Sequence, residues 1–390
     1  MKTFKLYDTE NTLIMIPGPV PVHPRVLRAL SKPIYGHRTD EFRNLLAEIE
    51  TMLKPLFGTK GTVLLLTGSG TVAMDAAIRS FVKPGDKVIS LIAGKFGRRF
   101  AEIAETVNAK VVRVEVEWGK AIKPEIVENA LKKHPDAKVV TLTHNETSTG
   151  VLHPAPEIAK VVKEYGALLI VDGITSVGGD YVKMDEWGLD VVVAGSQKCL
   201  GIPPGLAFVA VRPEIEEILE RQQNIPAYYT NLQLYLKYWK KAHDLPFTGG
   251  ISLFHALYES LKIIHAEGLE NRIRRHRLLA RMTREGIKAL GIELFAEKGY
   301  ESNTLTAVKY PEAISDKEFR KRVLEHGVLI AGGQDHLKGK IFRIAHMNIT
   351  GEREILTVLS VIELVLRELG FPVKNSGVSR AIEVLLKNKK

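Results

Sequence analysis

Residues 168–198 read LLIVDGITSVGGDYVKMDEWGLDVVVAGSQK and contain two apolar runs, each followed by a charged side chain. The first run ends at Asp172, and the second begins at Val191 and leads into the turn that carries Lys198. Uninterrupted apolar runs of this length are typical of strands buried on both faces of a parallel sheet. Ligands bind at the carboxyl ends of such strands, so we expect Asp172 and Lys198 to lie in one site.

The alternation of apolar strands and amphipathic helices extends outward over most of the chain. Strands are predicted at residues 63–67, 87–91, 110–116, 139–143, 168–171, 191–194 and 206–211. Helices are predicted between Asp40 and Gly58 and at residues 72–81, 96–107, 125–133 and 155–165. This order predicts an α/β fold with a parallel sheet covered by helices on both faces.

The pattern changes after Ser252. A long helical stretch to Leu290, with a break near Gly268, precedes short strands and helices at residues 305–308, 316–325, 342–345 and 352–368. We therefore predict an irregular N-terminal arm (1–20), a large domain (21–268) and a smaller α+β domain (269–390). Residues 378–388 form an amphipathic tail whose role the sequence leaves open.

Composition limits the class of protein. The chain has 390 residues, of which 45% are hydrophobic and 26% charged, as in globular proteins. It has no apolar run long enough for a membrane span, and charge comes too early at its start for a signal peptide. The one cysteine, Cys199, provides neither a disulfide nor a cysteine-rich zinc site. We expect a soluble cytoplasmic protein with no metal and no membrane partner.

The net charge is +10, which suits either nucleic acid or small anionic ligands. The densest basic cluster runs from Arg272 to Arg284, between Glu270 and Glu285 in a helical pattern. We interpret it as a solvated helix face and expect no nucleic-acid partner.

Residues 67–71, Thr-Gly-Ser-Gly-Thr, join a predicted strand to a predicted helix. Glycines allow close approach of an anion, and a helix N-terminus offers free N–H groups, so the turn suits a phosphate. Glycines required by packing alone would give the same pattern. Gly68, Gly70 and Ala73 also fit a dinucleotide fingerprint, but the next strand lacks the acidic residue that would bind a ribose.

Asp172 and Lys198 each permit two interpretations. A buried aspartate needs a cation, unless it caps the turn that follows it. A desolvated lysine has a lowered pKa and becomes a nucleophilic amine, unless its stem merely reaches the surface. Pyridoxal phosphate requires a Schiff-base lysine, an acid for its ring nitrogen and a phosphate anchor, so the three motifs together predict this cofactor.

Arg343 lies within a short predicted strand of the small domain, in Lys340–Ala345. A buried guanidinium can bind a carboxylate through two parallel hydrogen bonds. The arginine could hold a substrate carboxylate or pair with a local acid.

Six segments in one order identify a resemblance. They are Pro17-Gly18-Pro19, Gly68-Ser69-Gly70, Glu146-Thr147-Ser148-Thr149-Gly150, Val171-Asp172-Gly173, Gly195-Ser196-Gln197-Lys198 with Pro203-Pro204-Gly205, and Phe342-Arg343-Ile344. The chain resembles, from Met15 to Leu369, the class V aminotransferases of fold type I, in their alanine–glyoxylate and serine–pyruvate branch. The resemblance implies a mainly parallel seven-stranded sheet in a large pyridoxal-phosphate domain, with a smaller α+β domain.

The resemblance also implies roles for single residues. Lys198 would form the Schiff base and move the proton, and Asp172 would pair with the ring nitrogen. Gly18 and Arg343 would bind the substrate. The remaining cofactor-binding residues would be Ser69, Gly70, Thr71, Phe96, Thr147, Ile174, Gln197 and Thr248. Thr248 would reach the phosphate of a neighbouring subunit, which implies a homodimer with shared active sites.

The implied activity is a ping-pong transfer of an amino group from alanine or serine to glyoxylate or pyruvate. Aspartate or phosphoserine remains an alternative donor. A cysteine desulfurase-like lyase is less favoured, because Gln197 stands where desulfurases carry histidine and Cys199 adjoins the lysine. A nicotinamide oxidoreductase would leave Lys198 unexplained, and a nucleic-acid-binding protein would explain none of the motifs.

The chain departs from the resemblance at Leu245, where the branch often has tyrosine. Tyr228 or Tyr229 is a possible replacement. His37 and Arg38 could approach the site from a partner chain or serve a structural role.

Overall fold

A mainly parallel seven-stranded sheet forms the centre of the computed structural model, which describes residues 11–34 and 36–388. The strands are β1 (Leu13–Ile14), β2 (Thr62–Gly68), β3 (Lys87–Ile92), β4 (Lys110–Glu115), β5 (Val139–Thr143), β6 (Asn145–Glu146), β7 (Val151–Leu152), β8 (Leu168–Asp172), β9 (Val191–Gly195), β10 (Gly205–Val211), β11 (Leu305–Lys309), β12 (Val328–Leu329), β13 (Ala331–Gly332) and β14 (Ile341–Ala345). The central order is β2-β10-β9-β8-β5-β3-β4, and β10 runs antiparallel to both of its neighbours. The predicted α/β class is confirmed.

Helices pack against this sheet and build the rest of the chain; α2, α3, α4, α5 and α6 each contact one or more of its strands. The helices are α1 (Pro24–Leu30), α2 (Asp40–Phe57), α3 (Gly70–Phe81), α4 (Lys95–Thr106), α5 (Pro124–Lys133), α6 (Ala155–Glu164), α7 (Met184–Trp187), α8 (Pro213–Glu220), α9 (Leu232–Ala242), α10 (Ile251–Glu267), α11 (Leu269–Leu290), α12 (Asp316–Glu325), α13 (Glu352–Glu368) and α14 (Gly377–Asn388). A short 3₁₀ turn spans Asp335–Leu337. The α14 helix forms where the amphipathic tail was expected.

The two largest hydrophobic cores hold most of these elements. The larger core extends from Val26 to Ile264 and includes the fully buried side chains of β8 and β9. The second core combines Met15 with residues between Leu279 and Val384. The helical stretch breaks at Gly268, as expected, while the division of the chain into domains at that residue stays a prediction.

The N-terminal arm is more ordered than predicted, although residues 1–10 lie outside the described part. Leu13–Ile14 pairs in parallel with Val328–Leu329, and the N–H group of Ala345 donates to the Met15 carbonyl at 2.7 Å. The expectation of an irregular arm is wrong for these residues, because β12 offers them a strand edge.

Arg272 corrects the interpretation of the basic cluster as a solvated face. It is only 2% exposed, and its guanidinium donates to the carbonyls of Gly178 and Cys199, each at 2.8 Å. It also donates to Asn348 Oδ1 at 3.1 Å and to Glu267 Oε2 at 3.0 Å. The guanidinium thus links the turn after the candidate lysine to the end of α10, at Glu267, and to the loop after β14, at Asn348.

The other members of that cluster divide between interior and surface. His276 is buried as well, whereas Arg274, Arg277 and Arg281 are exposed as predicted. Among the described residues, no helix combines the length and hydrophobicity that crossing a bilayer requires.

We expect Arg272→Met to lower the unfolding midpoint strongly, because removing the guanidinium leaves the buried carbonyls of Gly178 and Cys199 without this donor and takes one of two arginine partners from Glu267, a loss of about 3–5 kcal/mol. Thermal unfolding followed by circular dichroism measures the change. Arg274→Met, on the same helix but exposed, serves as the control and should shift stability by no more than about 0.5 kcal/mol. Equal shifts in the two variants would contradict this role of Arg272.

Candidate active site

Lys198 lies in the turn that follows β9, against the N-terminal arm. Its Nζ donates to the carbonyl of Pro17, and a Cβ built at Gly18 would lie 2.5 Å from that Nζ. Gly18 has φ of +112°, so glycine suits the position in both conformation and size. Burial, aided by the charge of Arg343, lowers the pKa of Lys198 to about 8. The lysine is therefore a far better nucleophile than a solvated one.

Asp172 ends β8 and is 4% exposed. Its Oδ1 accepts the N–H group of Ile174 at 2.8 Å, so the turn-capping interpretation is correct in part. Burial raises the pKa of Asp172 to about 7. No lysine or arginine within the described ranges pairs with it at ion-pair distance, so a bound group could supply the expected cation.

The glycine turn forms a cradle at the start of α3, which begins at Gly70 rather than at Val72. Ser69 is its N-cap and makes no side-chain capping bond, and a Cβ at Gly195 would lie 3.2 Å from Gly70 Cα. Gln197 Oε1 is buried beside this turn and has no hydrogen-bond partner in the described residues. Rotation of the amide would present its N–H group there instead. These features suit a phosphate.

Ile174 connects the cradle to the end of β8. A Cβ built at Gly70 would lie 2.5 Å from Ile174 Cδ1, so the isoleucine side chain packs directly on the turn. The structure therefore brings the phosphate cradle, the apolar residue and Asp172 into one continuous surface.

Phe96 lies in the first turn of α4, and a buried glutamate fixes that turn. Glu146 Oε2 accepts the N–H groups of Phe96 and Gly97 at 3.0 and 3.1 Å, and its Oε1 accepts the Ser148 N–H group at 3.1 Å. Burial raises the pKa of Glu146, while these hydrogen bonds oppose the rise. Sequence reasoning assigned no role to Glu146, which caps the helix that positions the predicted aromatic.

Arg343 lies on β14 and is 6% exposed. Its Nη1 donates to the Thr147 carbonyl at 2.9 Å, and its Nε and Nη2 donate to the Gly332 carbonyl at 3.1 and 2.8 Å. Burial lowers the pKa of Arg343 to about 10. No acid pairs with it in the part of the chain described, so the alternative of a local ion pair is wrong.

Thr147, predicted to bind the cofactor, is buried and its hydroxyl is engaged. Its Oγ1 is 3.0 Å from Thr175 Oγ1, and both side chains are buried. Its carbonyl accepts a hydrogen bond from Arg343, so the loop after β6 is joined to β14.

Thr248, predicted to act on a partner subunit's phosphate, makes no hydrogen bond to residues 67–71 in the described part of this chain. It is exposed, and its Oγ1 lies 3.3 Å from His37 Nε2. Arg38 donates to Asp244 Oδ1 at 2.9 Å and to the Leu245 carbonyl, a structural role.

The tyrosines considered as replacements for the family tyrosine lie away from Lys198. Tyr228 and Tyr229 pack on Phe247, with ring centroids 5.5 and 4.9 Å from it. No contact of either tyrosine with the candidate lysine is found in the described residues. That one of them takes the place of the tyrosine that the family often has where this chain has Leu245 stays a hypothesis.

Sequence reasoning missed Arg99, which lies between the cradle and the aromatic. Its Nη1 donates to Thr71 Oγ1 at 3.0 Å, and its guanidinium carbon is 4.8 Å from the ring centre of Phe96. A signal was present in the sequence, because residues three apart on a helix share a face, and Arg99 follows Phe96 by three.

Cys199 decides against thiol chemistry at this site. Its Sγ is buried, 3.6 Å from the Thr175 carbonyl and 3.6 Å from Met347 Sδ. Burial raises the pKa of Cys199 to about 12, so the nucleophilic thiolate is scarce at neutral pH. A desulfurase-like lyase requires an accessible, reactive cysteine, and Cys199 does not meet that requirement.

The pH dependence of stability tests the environment of Asp172. An acid whose folded pKa is raised destabilises the folded state as pH rises above its unfolded pKa of about 3.9. We expect Asp172→Asn to stabilise the ligand-free protein progressively between pH 4 and pH 7, and to reach a gain of a few kcal/mol, at about 1.4 kcal/mol per pH unit.

Unfolding midpoints from pH 4 to pH 9 measure this gain. The control is Asp136→Asn, because a hydrogen bond from Lys87 lowers the pKa of Asp136 and the substitution should bring no such gain. A stability difference between Asp172→Asn and the unaltered protein that stays constant over this range would contradict the burial of an ionisable group at position 172.

Comparison with known proteins agrees with this geometry. The family model for aminotransferase class-V matches residues 30–348. An uncharacterized aminotransferase of Methanocaldococcus jannaschii is 48% identical, over 97% of this chain and 99% of its own. A protein of Synechococcus sp. named as the small subunit of a soluble hydrogenase is 41% identical, over 96% and 99%.

A solved structure extends the agreement to three dimensions. The alanine–glyoxylate aminotransferase of Nostoc sp. has a TM-score of 0.88 at 34% identity, and the match covers 91% of this chain and 95% of that one. The fold is therefore that of the fold type I aminotransferases, which use pyridoxal phosphate, and the residues of the cradle, Asp172 and Lys198 fit that cofactor. The chain belongs to the class-V aminotransferase family.

Proposed function

We propose that this protein transfers an amino group from a small amino acid, alanine or serine, to glyoxylate or pyruvate in two half-reactions. The observation that carries the proposal is the buried Arg343, which has no acid partner among the described residues and whose charge acts on Lys198. A cation beside a nucleophilic amine suits an α-carboxylate held next to the reacting carbon.

Pyridoxal phosphate, when bound, supplies an electron sink for the bond broken at the substrate's α-carbon. Asp172 would hold a proton at the ring nitrogen. Lys198, with a pKa lowered to about 8 by burial, would take a proton from the α-carbon and return it to the cofactor. The orphaned amide of Gln197 and the backbone of Ser69 and Gly70 would hold the phosphate.

The arm supports a small donor. Pro17 and Gly18 lie directly against Lys198, so little room remains on that side of the amine. The similarity to an alanine–glyoxylate aminotransferase is consistent with alanine as donor and glyoxylate as acceptor.

Aspartate or phosphoserine would require a second free cation. The helix that carries Phe96 has three cations nearby: Lys95 and Arg98 are engaged with Asp335, at 3.1 and 3.6 Å, and Arg99 contacts Thr71 at the cradle, where its charge would serve the phosphate. This engagement favours a donor with an uncharged side chain. No observation on the described residues favours a function of another class.

We also propose a cytoplasmic homodimer in which Thr248 completes the phosphate site of the partner subunit. Thr248 is exposed on this chain, and so are two apolar side chains, Ile34 at 70% and Tyr228 at 79%. Exposed aromatic and aliphatic side chains are frequent at subunit interfaces. Sedimentation of the purified protein tests the dimer.

Reduction of the protein with borohydride in the presence of pyridoxal phosphate should attach the cofactor to Lys198. Lys198→Ala should lose at least about 10³-fold in transamination, because the covalent and proton-transfer roles belong to this amine. Peptide mass spectrometry and turnover with alanine and glyoxylate measure both effects. Lys110→Ala, at an exposed lysine, is the control; an adduct on another residue would contradict the assignment.

Arg343→Gln should raise KM for donors and acceptors alike by about 10- to 100-fold, the value of a hydrogen bond between charged groups. It should also raise the pKa of Lys198, since the charge of Arg343 helps to lower it. A matrix of alanine, serine, aspartate, glutamate and phosphoserine against glyoxylate, pyruvate and 2-oxoglutarate measures KM. Arg113→Gln, at an exposed arginine, is the control, and unchanged KM values would mean that another group binds the carboxylate.

A further inference from the structure

Arg99 lies between two parts of the active site that are distant in sequence. Its Nη1 donates to Thr71 Oγ1 at 3.0 Å, at the start of α3. Its guanidinium carbon lies 4.8 Å from the ring centre of Phe96, in the range of a cation–π contact. One side chain therefore connects the glycine cradle to the aromatic residue.

The charge of Arg99 has no anionic partner in the parts of the chain that the structure describes. Its neighbour Arg98 pairs with Asp335 at 3.6 Å, and Arg113 pairs with Glu105 at 2.8 Å, whereas no such ion pair is found for Arg99. A half-buried guanidinium next to a helix N-terminus is suited to an anion.

The hydrogen bond also fixes the direction of the Thr71 hydroxyl. A hydroxyl oxygen accepts and its own hydrogen donates, and arginine can only donate. Because Thr71 Oγ1 is the acceptor from Arg99, its hydrogen is available for another acceptor. Thr71 can therefore offer an O–H donor at the mouth of the cradle.

We propose that Arg99 is a positioning residue for the cofactor phosphate: it orients the Thr71 hydroxyl as a donor and adds a positive charge beside the cradle. This inference rests on the proposed placement of the phosphate at residues 69–71. It assigns to Arg99 a large share of cofactor affinity and no direct part in the proton transfer at Lys198.

The test compares pyridoxal phosphate with pyridoxal, which has the same aldehyde and ring but no phosphate. Cofactor-free protein is titrated with each compound, and binding is followed by absorbance. Arg99→Met should weaken pyridoxal phosphate binding by about tenfold or more, the value of a charge-assisted hydrogen bond. Binding of pyridoxal should stay unchanged, because it lacks the group that Arg99 serves. Arg113→Met removes the same charge far from the cradle and should leave both affinities unchanged.

A double-mutant cycle tests the route through the hydroxyl. Thr71→Val removes the donor, and Arg99→Met added to it should cost much less than in the unaltered protein, since the two residues act as a pair. Arg99→Lys keeps the charge without the guanidinium fork and should give an intermediate affinity. Circular dichroism checks that each variant folds. If Arg99→Met does not fold, Arg99→Lys is used to compare the binding of pyridoxal phosphate and pyridoxal.

The remaining outcomes would overturn the inference. Unchanged affinity for pyridoxal phosphate would mean that Arg99 does not serve the phosphate. An equal loss of affinity for both compounds would mean that Arg99 supports Phe96 or the fold instead. Additive losses in the double-mutant cycle would mean that Arg99 does not act through the Thr71 hydroxyl. If the unaltered protein bound pyridoxal phosphate without an adduct at Lys198, the proposed function would fail while the Arg99 comparison could still succeed.

Discussion

The site depends on the removal of three ionisable side chains from water. Burial shifts the pKa of Lys198 down to about 8, that of Arg343 down to about 10 and that of Asp172 up to about 7, in each case toward the neutral form. Desolvation of this kind opposes folding unless a ligand supplies the missing partner. The fold therefore arranges these buried ionisable groups before any cofactor or carboxylate binds.

The central sheet makes this desolvation possible. β8 before Asp172 and β9 contain no polar side chain and lie inside the sheet, so the residues at their carboxyl ends are surrounded by protein on most sides. Arg272 holds the turn after Lys198 in place. Its guanidinium donates hydrogen bonds to the carbonyl of the next residue, Cys199, and to that of Gly178. A fixed turn keeps the Lys198 amine in place relative to the N-terminal arm and Asp172.

The sequence was sufficient for the strand-terminal residues and insufficient for those that support them. Asp172 and Lys198 follow apolar runs, and Arg343 is the charged residue in an apolar strand, so local pattern revealed all three. Glu146 acts on Phe96 across 50 residues, and local pattern carries no information about such pairs.

Some helices were missed for a similar reason. α1 is only seven residues long and begins at Pro24. The His23 side chain caps this helix by accepting the N–H group of Arg25, and histidine is not among the usual N-cap residues. α9 was missed although its buried residues, Leu232, Tyr235, Leu236 and Trp239, have helical spacing. Thr248 differs in kind, because a residue proposed to act in a partner subunit cannot be located from one chain.

The N-terminal arm connects β14 to the turn that carries Lys198. Met15 accepts a hydrogen bond from Ala345, two residues beyond Arg343 on β14, and Val20 donates to the Gln197 carbonyl at 3.1 Å. Between these two points, Pro17 and Gly18 contact Lys198. The arm therefore runs from the strand that carries Arg343 to the turn that carries Lys198. Because backbone hydrogen bonds hold the arm at both ends, this one segment fixes the position of β14 relative to the candidate lysine.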